Sequence, residues 1–196
     1  MDFILDLLQG VGLAAAIGIR PFLPVLLAGA LAAANVGLDF DGTDFAFMEE
    51  WPFLLGVLVL VVLLDFAGRR AGRGSEDRPP LLYALLGLAL ALGGLAAAAS
   101  VADNSSDWWA GAIAGVAAAA LGFQAARLLF GRVRRRLDDQ AATALPVYAE
   151  GAALGAAGIS ILFPPLALVV IGALIWLLAG GRRREGEKYA GLRILR

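Results

Sequence analysis

Apolar residues run along this chain in long blocks, and the polar residues gather in short clusters between them. Three blocks, 51–67, 81–102 and 108–130, have the length of one membrane-crossing helix, which needs about 20 mostly apolar residues. Two others, 3–37 and 141–180, are too long. As single helices they would exceed about 50 Å, against a hydrocarbon core of about 30 Å. Each carries its own break: Gly18-Ile19-Arg20-Pro21 with Pro24 in the first, Gly158-Ile159-Ser160 with Pro164-Pro165 in the second. Proline removes a backbone donor and clashes with the preceding turn, and glycine is a weak helix former. The pattern predicts an all-α, polytopic membrane protein with three clear spans and two Gly/Pro-broken helical hairpins. Full crossings would give seven spans; re-entrant hairpins would give three spans and two half-depth loops. Residues 1–181 form one transmembrane domain, followed by a basic tail, 182–196.

The polar clusters orient these elements. Arg69, Arg70, Arg73 and Arg78 share one loop, and Arg127, Arg132, Arg134, Arg135 and Arg136 lie in or beside another. Arg182, Arg183, Arg184, Lys188, Arg193 and Arg196 sit in the tail; Arg20 is the remaining cation. The other loops are acidic, with Asp39, Asp41, Asp44, Glu49 and Glu50 in one and Asp103 and Asp107 in the other. The positive-inside rule places the basic loops and the C-terminus in the cytoplasm. Trp51, Trp108 and Trp109 fall at the outer boundary, where amphipathic rings belong. Parity then gives the two hairpins opposite orientation and puts the N-terminus outside.

Composition closes off several function classes. The chain is 60% apolar and 17% charged, against about 45–50% and about 25% in soluble domains. It has no Cys and no His, which removes disulfides, thiolate nucleophiles, Cys/His zinc sites and the Ser-His triad. No cofactor is expected. A net charge of −1 points to no nucleic-acid partner. The start Met1-Asp2 lacks the basic region of a cleaved signal peptide. Expected partners are membrane lipids, an unidentified small molecule or ion, and a second copy of the chain.

Three stretches carry a family resemblance: Gly10-Val-Gly-Leu-Ala-Ala-Ala-Ile-Gly-Ile-Arg-Pro-Phe-Leu-Pro24, Leu38-Asp-Phe-Asp-Gly-Thr-Asp-Phe-Ala-Phe47 and Lys188-Tyr-Ala-Gly-Leu-Arg-Ile-Leu-Arg196. Together they resemble a bacterial membrane-protein family catalogued as domain of unknown function 4126 (DUF4126). The resemblance implies a multi-span protein of the bacterial inner membrane. It brings no activity and no site residues.

Candidate chemistry centres on the breaks. Arg20 stands at the first, and a charge inside a membrane marks a functional site by default. Free N–H groups at a broken helix, with Gly18, Pro21 and Pro24 around it, could join Arg20 in binding an anion. The alternative is a topology residue at the cytoplasmic interface. Glu150, beside Tyr148, is the clearest acid within a span. It could protonate, pair with Arg20, bind a cation, or snorkel to water. Ser160, with Gly158, Pro164 and Pro165, could open backbone carbonyls to a polar cavity, or could bond back to its own helix. An offset of 140 aligns Ala16, Gly18, Ile19, Pro24 and Leu26 with Ala156, Gly158, Ile159, Pro164 and Leu166, a candidate internal repeat. Asp65 reads as a partner of local arginines, and Asp6 as interfacial. The Asp39-to-Asp44 run imitates the start of a Ca²⁺ loop, but its Gly is at position four rather than six; a solvated acidic loop is the simpler reading. Gly111/Gly115 and Gly151/Gly155 allow close helix approach or a dimer face.

The leading functional expectation is a small transporter or channel-like protein for a small solute, an anion if Arg20 binds it. Gly/Pro-interrupted apolar tracts are the best sequence pointer to such a site. The alternatives are a non-transporting membrane scaffold or accessory subunit and, third, a lipid-acting membrane enzyme.

Overall fold

A computed structural model describes residues 2–71, 79–134, 137 and 144–190. Among them are seven α-helices: α1 Asp2–Ile19, α2 Phe22–Ala32, α3 Trp51–Ala71, α4 Pro79–Ala102, α5 Trp108–Arg134, α6 Leu145–Leu162 and α7 Ala167–Ala190. The class is all-α, as the apolar blocks predict. Among the described residues, three helices are long and apolar enough to cross a membrane: Leu81–Ala102, Trp108–Arg134 and Leu145–Leu162. Two of these match predicted spans. The third lies inside the second long tract, while the apolar part of α3, Trp51–Leu64, is shorter.

The bundle is small inside and large outside. Buried positions are dominated by alanine: Ala14, Ala15, Ala16, Ala89, Ala96, Ala97, Ala99, Ala119, Ala149, Ala153 and Ala157 are at or near zero exposure. Val62, Ile113, Val147, Val169 and Trp176 are each at least 60% exposed. Such a surface suits hydrocarbon as solvent. In that solvent helices associate by close backbone approach rather than by hiding apolar side chains.

α1 is the axis of the fold, touching α2, α4, α5, α6 and α7. Its glycines set the spacing. A Cβ on Gly10 would stand 2.8 Å from the Ala97 Cα, and one on Gly18 would stand 2.2 Å from the Ala119 carbonyl oxygen. Across α4 and α5, Gly111 and Gly115 face Ala97 and Gly93 at similarly short range. This pair therefore is a packing motif. Gly151 and Gly155 on α6 have open space where a Cβ would go, so the same spacing does no packing there.

α6 runs antiparallel to α1. Gln9 meets Ile161, Gly12 meets Ser160, and Arg20 meets Glu150. The turn joining α1 to α2 therefore lies at one end of the bundle and the turn joining α6 to α7 at the other. The hairpins have opposite orientation, as predicted. The first turn lies beside the arginine-bearing end of α5, here called the basic end. The second lies toward the loops 33–50 and 103–107, the acidic end.

Several expectations need correction. The first tract does not stay helical to residue 37. α2 has 11 residues, about 16 Å. It closes at Asn35, which takes a left-handed φ of 52°, with the Val36 N–H donating to the Leu31 carbonyl at 2.9 Å. That six-to-one bond is the usual way to satisfy a helix C-terminus. The second break falls at Phe163 and the 3₁₀ turn Pro164–Leu166, while Gly158 and Ser160 remain inside α6. The offset-140 alignment therefore equates Gly18, two residues before its break, with Gly158, five before its own. Pro24 lies within α2 and Pro164 opens the 3₁₀ turn, so the matched residues do different work.

Candidate functional site

Two polar junctions close the two ends of the α1–α6 pair. At the acidic end stands Gln9, a residue the sequence reading missed. It is 6% exposed. Its Nε2 donates to the Gly37 carbonyl and, at 3.0 Å, to the Ile161 carbonyl. The need is covalent in origin. Within a helix the Ile161 carbonyl would accept from residue 164 or 165, and both are proline with no N–H. A buried carbonyl left alone is costly, and Gln9 supplies the donor from α1. The signal was present in the sequence as one amide in an apolar helix and a diproline elsewhere. Ser160 is fully buried, and its hydroxyl donates to the Ala156 carbonyl at 2.8 Å. It takes the back-bonded reading and opens no carbonyl.

The acidic loop folds inward as a plug. Phe40, Phe45 and Met48 are buried, and Phe45 meets Trp108 edge-on at 6.0 Å. Asp39 accepts from the Asp41 N–H at 2.9 Å, and Thr43 donates to the Phe40 carbonyl at 2.8 Å. The acids thus brace a turn whose aromatics enter the core. Among the described residues no three acidic side chains converge as metal ligands. Asp6 accepts from Asn104 at 3.1 Å, tying α1 to the second acidic loop. Burial pushes the Glu49 carboxyl up, helped by its hydrogen bond with Asp41 and the charges of Asp41 and Asp39. Burial and then the charge of Asp39 push Asp103 up. Both acids hold protons more tightly folded than unfolded. Their contribution to stability is full below the ordinary carboxylate range and is lost as pH rises through the raised values. Amide exchange in residues 38–50, corrected for intrinsic rate, is therefore expected to be slower near pH 4 than at pH 7. Glu49→Gln is expected to reduce the difference; equal protection at both pH values would contradict this reading.

The basic-end junction gathers more chemistry. Arg20 closes α1 with its N–H on the Ala16 carbonyl at 3.2 Å, and Pro21 opens α2. The Arg20 Nε lies 3.8 Å from Glu150 Oε1, with side chains 20% and 29% exposed. The pairing expected from the matching hairpins is present. Glu150 Oε2 is shielded from solvent, whereas Tyr148 beside it is 72% exposed. At 3.8 Å and partly exposed, the pair couples near the upper edge of exposed pairs, about 1 kcal/mol. Arg20→Gln and Glu150→Gln are each expected to lower the unfolding midpoint, and the double variant to lose less than their sum. Strict additivity would remove the pair from the structure's support.

Beside this pair is a cavity of about 90 Å³ whose walls include Arg20, Arg127 and Arg134 together with Leu85, Phe123 and Phe130. The α5 contribution is one face of a helix: Phe123, Ala126, Arg127, Phe130, Gly131 and Arg134 recur at the i, i+3, i+4, i+7 spacing. Sequence reasoning filed Arg127 and Arg134 under topology and so missed this stripe. Of the predicted site residues, Arg20 and Pro21 line this cavity, and Glu150 reaches it only through its pairing with Arg20. Gly18 lies just behind, packed on α5, and Pro24 is buried in the first turn of α2. Gly158, Ser160 and Pro164 do not join them, since about 15 Å of helix separates Glu150 from Ser160. The Asp65 side chain, Arg69, Arg70, Arg73, Arg78, Arg135, Arg136 and the basic tail lie outside the described residues and side chains. Compared with known proteins, the chain matches no family model, no curated protein and no solved structure.

Proposed function

We propose that this chain is a small membrane transport protein that takes up a small organic anion at its basic end, with Arg20, Arg127 and Arg134 as the recognition groups. One observation carries the reading: three arginines, Arg20 at the break after α1 and Arg127 and Arg134 on α5, line one largely apolar cavity beside a helix break. Guanidiniums in a partly dry site bind oxyanions far more strongly than in water. The opposite end is closed by Gln9 and the plug of residues 38–50, as an alternating-access protein open to one side would be. The arginine excess makes the basic end cytoplasmic and the acidic end external in a bacterial inner membrane. A Gly/Ala-packed axis with backbone approach this close favours a second reading, a scaffold that does not transport.

Proteoliposomes separate the two. Entry of a labelled short-chain organic anion is expected to saturate and to fall at least tenfold in Arg20→Gln and in Arg127→Gln. Flux equal to that of protein-free liposomes would reject transport and leave the scaffold.

A further inference from the structure

Three amide or hydroxyl side chains inside the described helices, Gln9, Ser100 and Ser160, are buried, and each donates to a backbone carbonyl. Gln124 on α5 does neither. It is exposed, and among the described residues its amide has no hydrogen-bond partner. Its depth makes this costly. Along α5 it stands about 24 Å from Trp108 at the outer boundary and about 12 Å from Arg132 in the basic last turn. An amide reaches about one helical turn, about 5.4 Å, so it ends in hydrocarbon. An amide left alone there is expensive, because the medium offers no donor or acceptor.

The surroundings suit a second helix. Gln124 lies in an open groove with Ala117, Ala120, Leu121 and Leu128 of α5 and Leu178 of α7. Ala117, Leu121, Gln124 and Leu128 follow one another at intervals of four, three and four, the seam spacing of a left-handed helix pair. The alanines let a second backbone approach. Phe123, Arg127 and Phe130 belong to another face of α5, the one turned to the basic-end cavity. The occupant follows from the chemistry of the amide. A carboxamide both donates and accepts, so it complements an identical amide. Every copy of the chain inserted with the same orientation holds Gln124 at the same depth. A two-fold axis along the membrane normal therefore brings two such amides level. A lipid tail offers neither donor nor acceptor. A polar side chain at a single seam position also fixes register and the number of strands.

We propose that the α5 face of Ala117, Leu121, Gln124 and Leu128 is a homodimer interface, two copies packed in parallel with their Gln124 amides hydrogen-bonded across the two-fold. It goes beyond the transport reading and does not rest on it.

The chain has no cysteine, so single cysteines in the full chain report the interface in its membrane. Oxidative cross-linking to twice the chain's mass is expected at Ala117→Cys, Leu121→Cys and Leu128→Cys. It is not expected at Val59→Cys on α3 or Gly155→Cys on α6, which also face outward. Sedimentation in detergent is expected to show a dimer whose dissociation constant rises at least tenfold in Gln124→Leu, with Gln124→Asn losing less. The thermal midpoint of the Gln124→Leu monomer should not fall, which separates loss of the interface from loss of the fold. A monomer at every protein density in lipid, cross-linking at Gly155→Cys in place of Leu128→Cys, or a dissociation constant unchanged by Gln124→Leu overturns the proposal. Cross-linking of Leu128→Cys to a different protein alone also overturns it. A cross-linked dimer without flux retains this inference and rejects transport; flux by a monomer does the reverse.

Discussion

Gly122→Val is expected to abolish folded protein, the largest effect of any single substitution described. A Cβ at this position would stand 2.1 Å from the Ala15 carbonyl oxygen and 3.2 Å from the Gly18 Cα. Both obstacles are backbone of the central helix, which is itself clamped by Gly18 against Ala119 and by Gly10 against Ala97. Overpacking against side chains costs typically about 1–3 kcal/mol because they yield; here α1 and α5 would have to separate along their length. Typical total stability is about 5–15 kcal/mol, so the loss consumes a large share of it. Gly151→Val provides the contrast, with open space where its Cβ would go. Size-exclusion profiles and thermal midpoints in detergent read both. A monodisperse Gly122→Val protein with an unchanged midpoint would show that the α1–α5 approach is not as close as described.

Gln9→Leu is the next largest. It removes one side chain and leaves two carbonyls, Gly37 and Ile161, without their donor. The Ile161 bond is buried and the Gly37 bond part-buried; an orphaned buried acceptor costs about 1–3 kcal/mol, so the expected loss is about 1–3 kcal/mol, most of it at Ile161. Burying leucine in place of the amide offsets part of it. Irregular backbone at such depth is tolerated only where protein satisfies it. The variant should also loosen the plug, and faster labelling of a cysteine at Phe40 would report that. Pro165→Ala restores an N–H within reach of the Ile161 carbonyl, and it should recover part of the loss in the Gln9→Leu background. No recovery, with the single variant fully destabilised, would place the whole cost at Gly37.

Much of this fold was legible because the strongest signals are covalent. Pro21 and the Pro164-Pro165 pair end their helices wherever the rest of the chain packs. The alternation of arginine and acid clusters fixed the opposite sense of the hairpins, and that sense brought Arg20 beside Glu150. What remained hidden depends on which face of an apolar helix turns inward. Gly111/Gly115 and Gly151/Gly155 share one spacing, yet only the first pair packs, because helices apolar all round carry no moment to choose a face. The acids Asp39, Asp41 and Asp44 are exposed, as a solvated loop requires; what stayed hidden is that Phe40 and Phe45 between them are buried in the same core cluster as Ala32 at the end of α2. The cavity was hidden by the arginines' other meaning, since a positive charge at a helix end satisfies the topology rule before it suggests a ligand.

The most direct measurement uses single cysteines at Gly131 and Gly158, both with open space for a side chain, labelled by a membrane-impermeant reagent from each side of a sealed vesicle. Gly131→Cys is expected to label from the cytoplasmic side alone and to be protected by a short-chain organic anion, and Gly158→Cys not to label from that side. Labelling of Gly131→Cys from the external side, or labelling indifferent to the anion, would contradict an anion site at the cytoplasmic end of a membrane bundle.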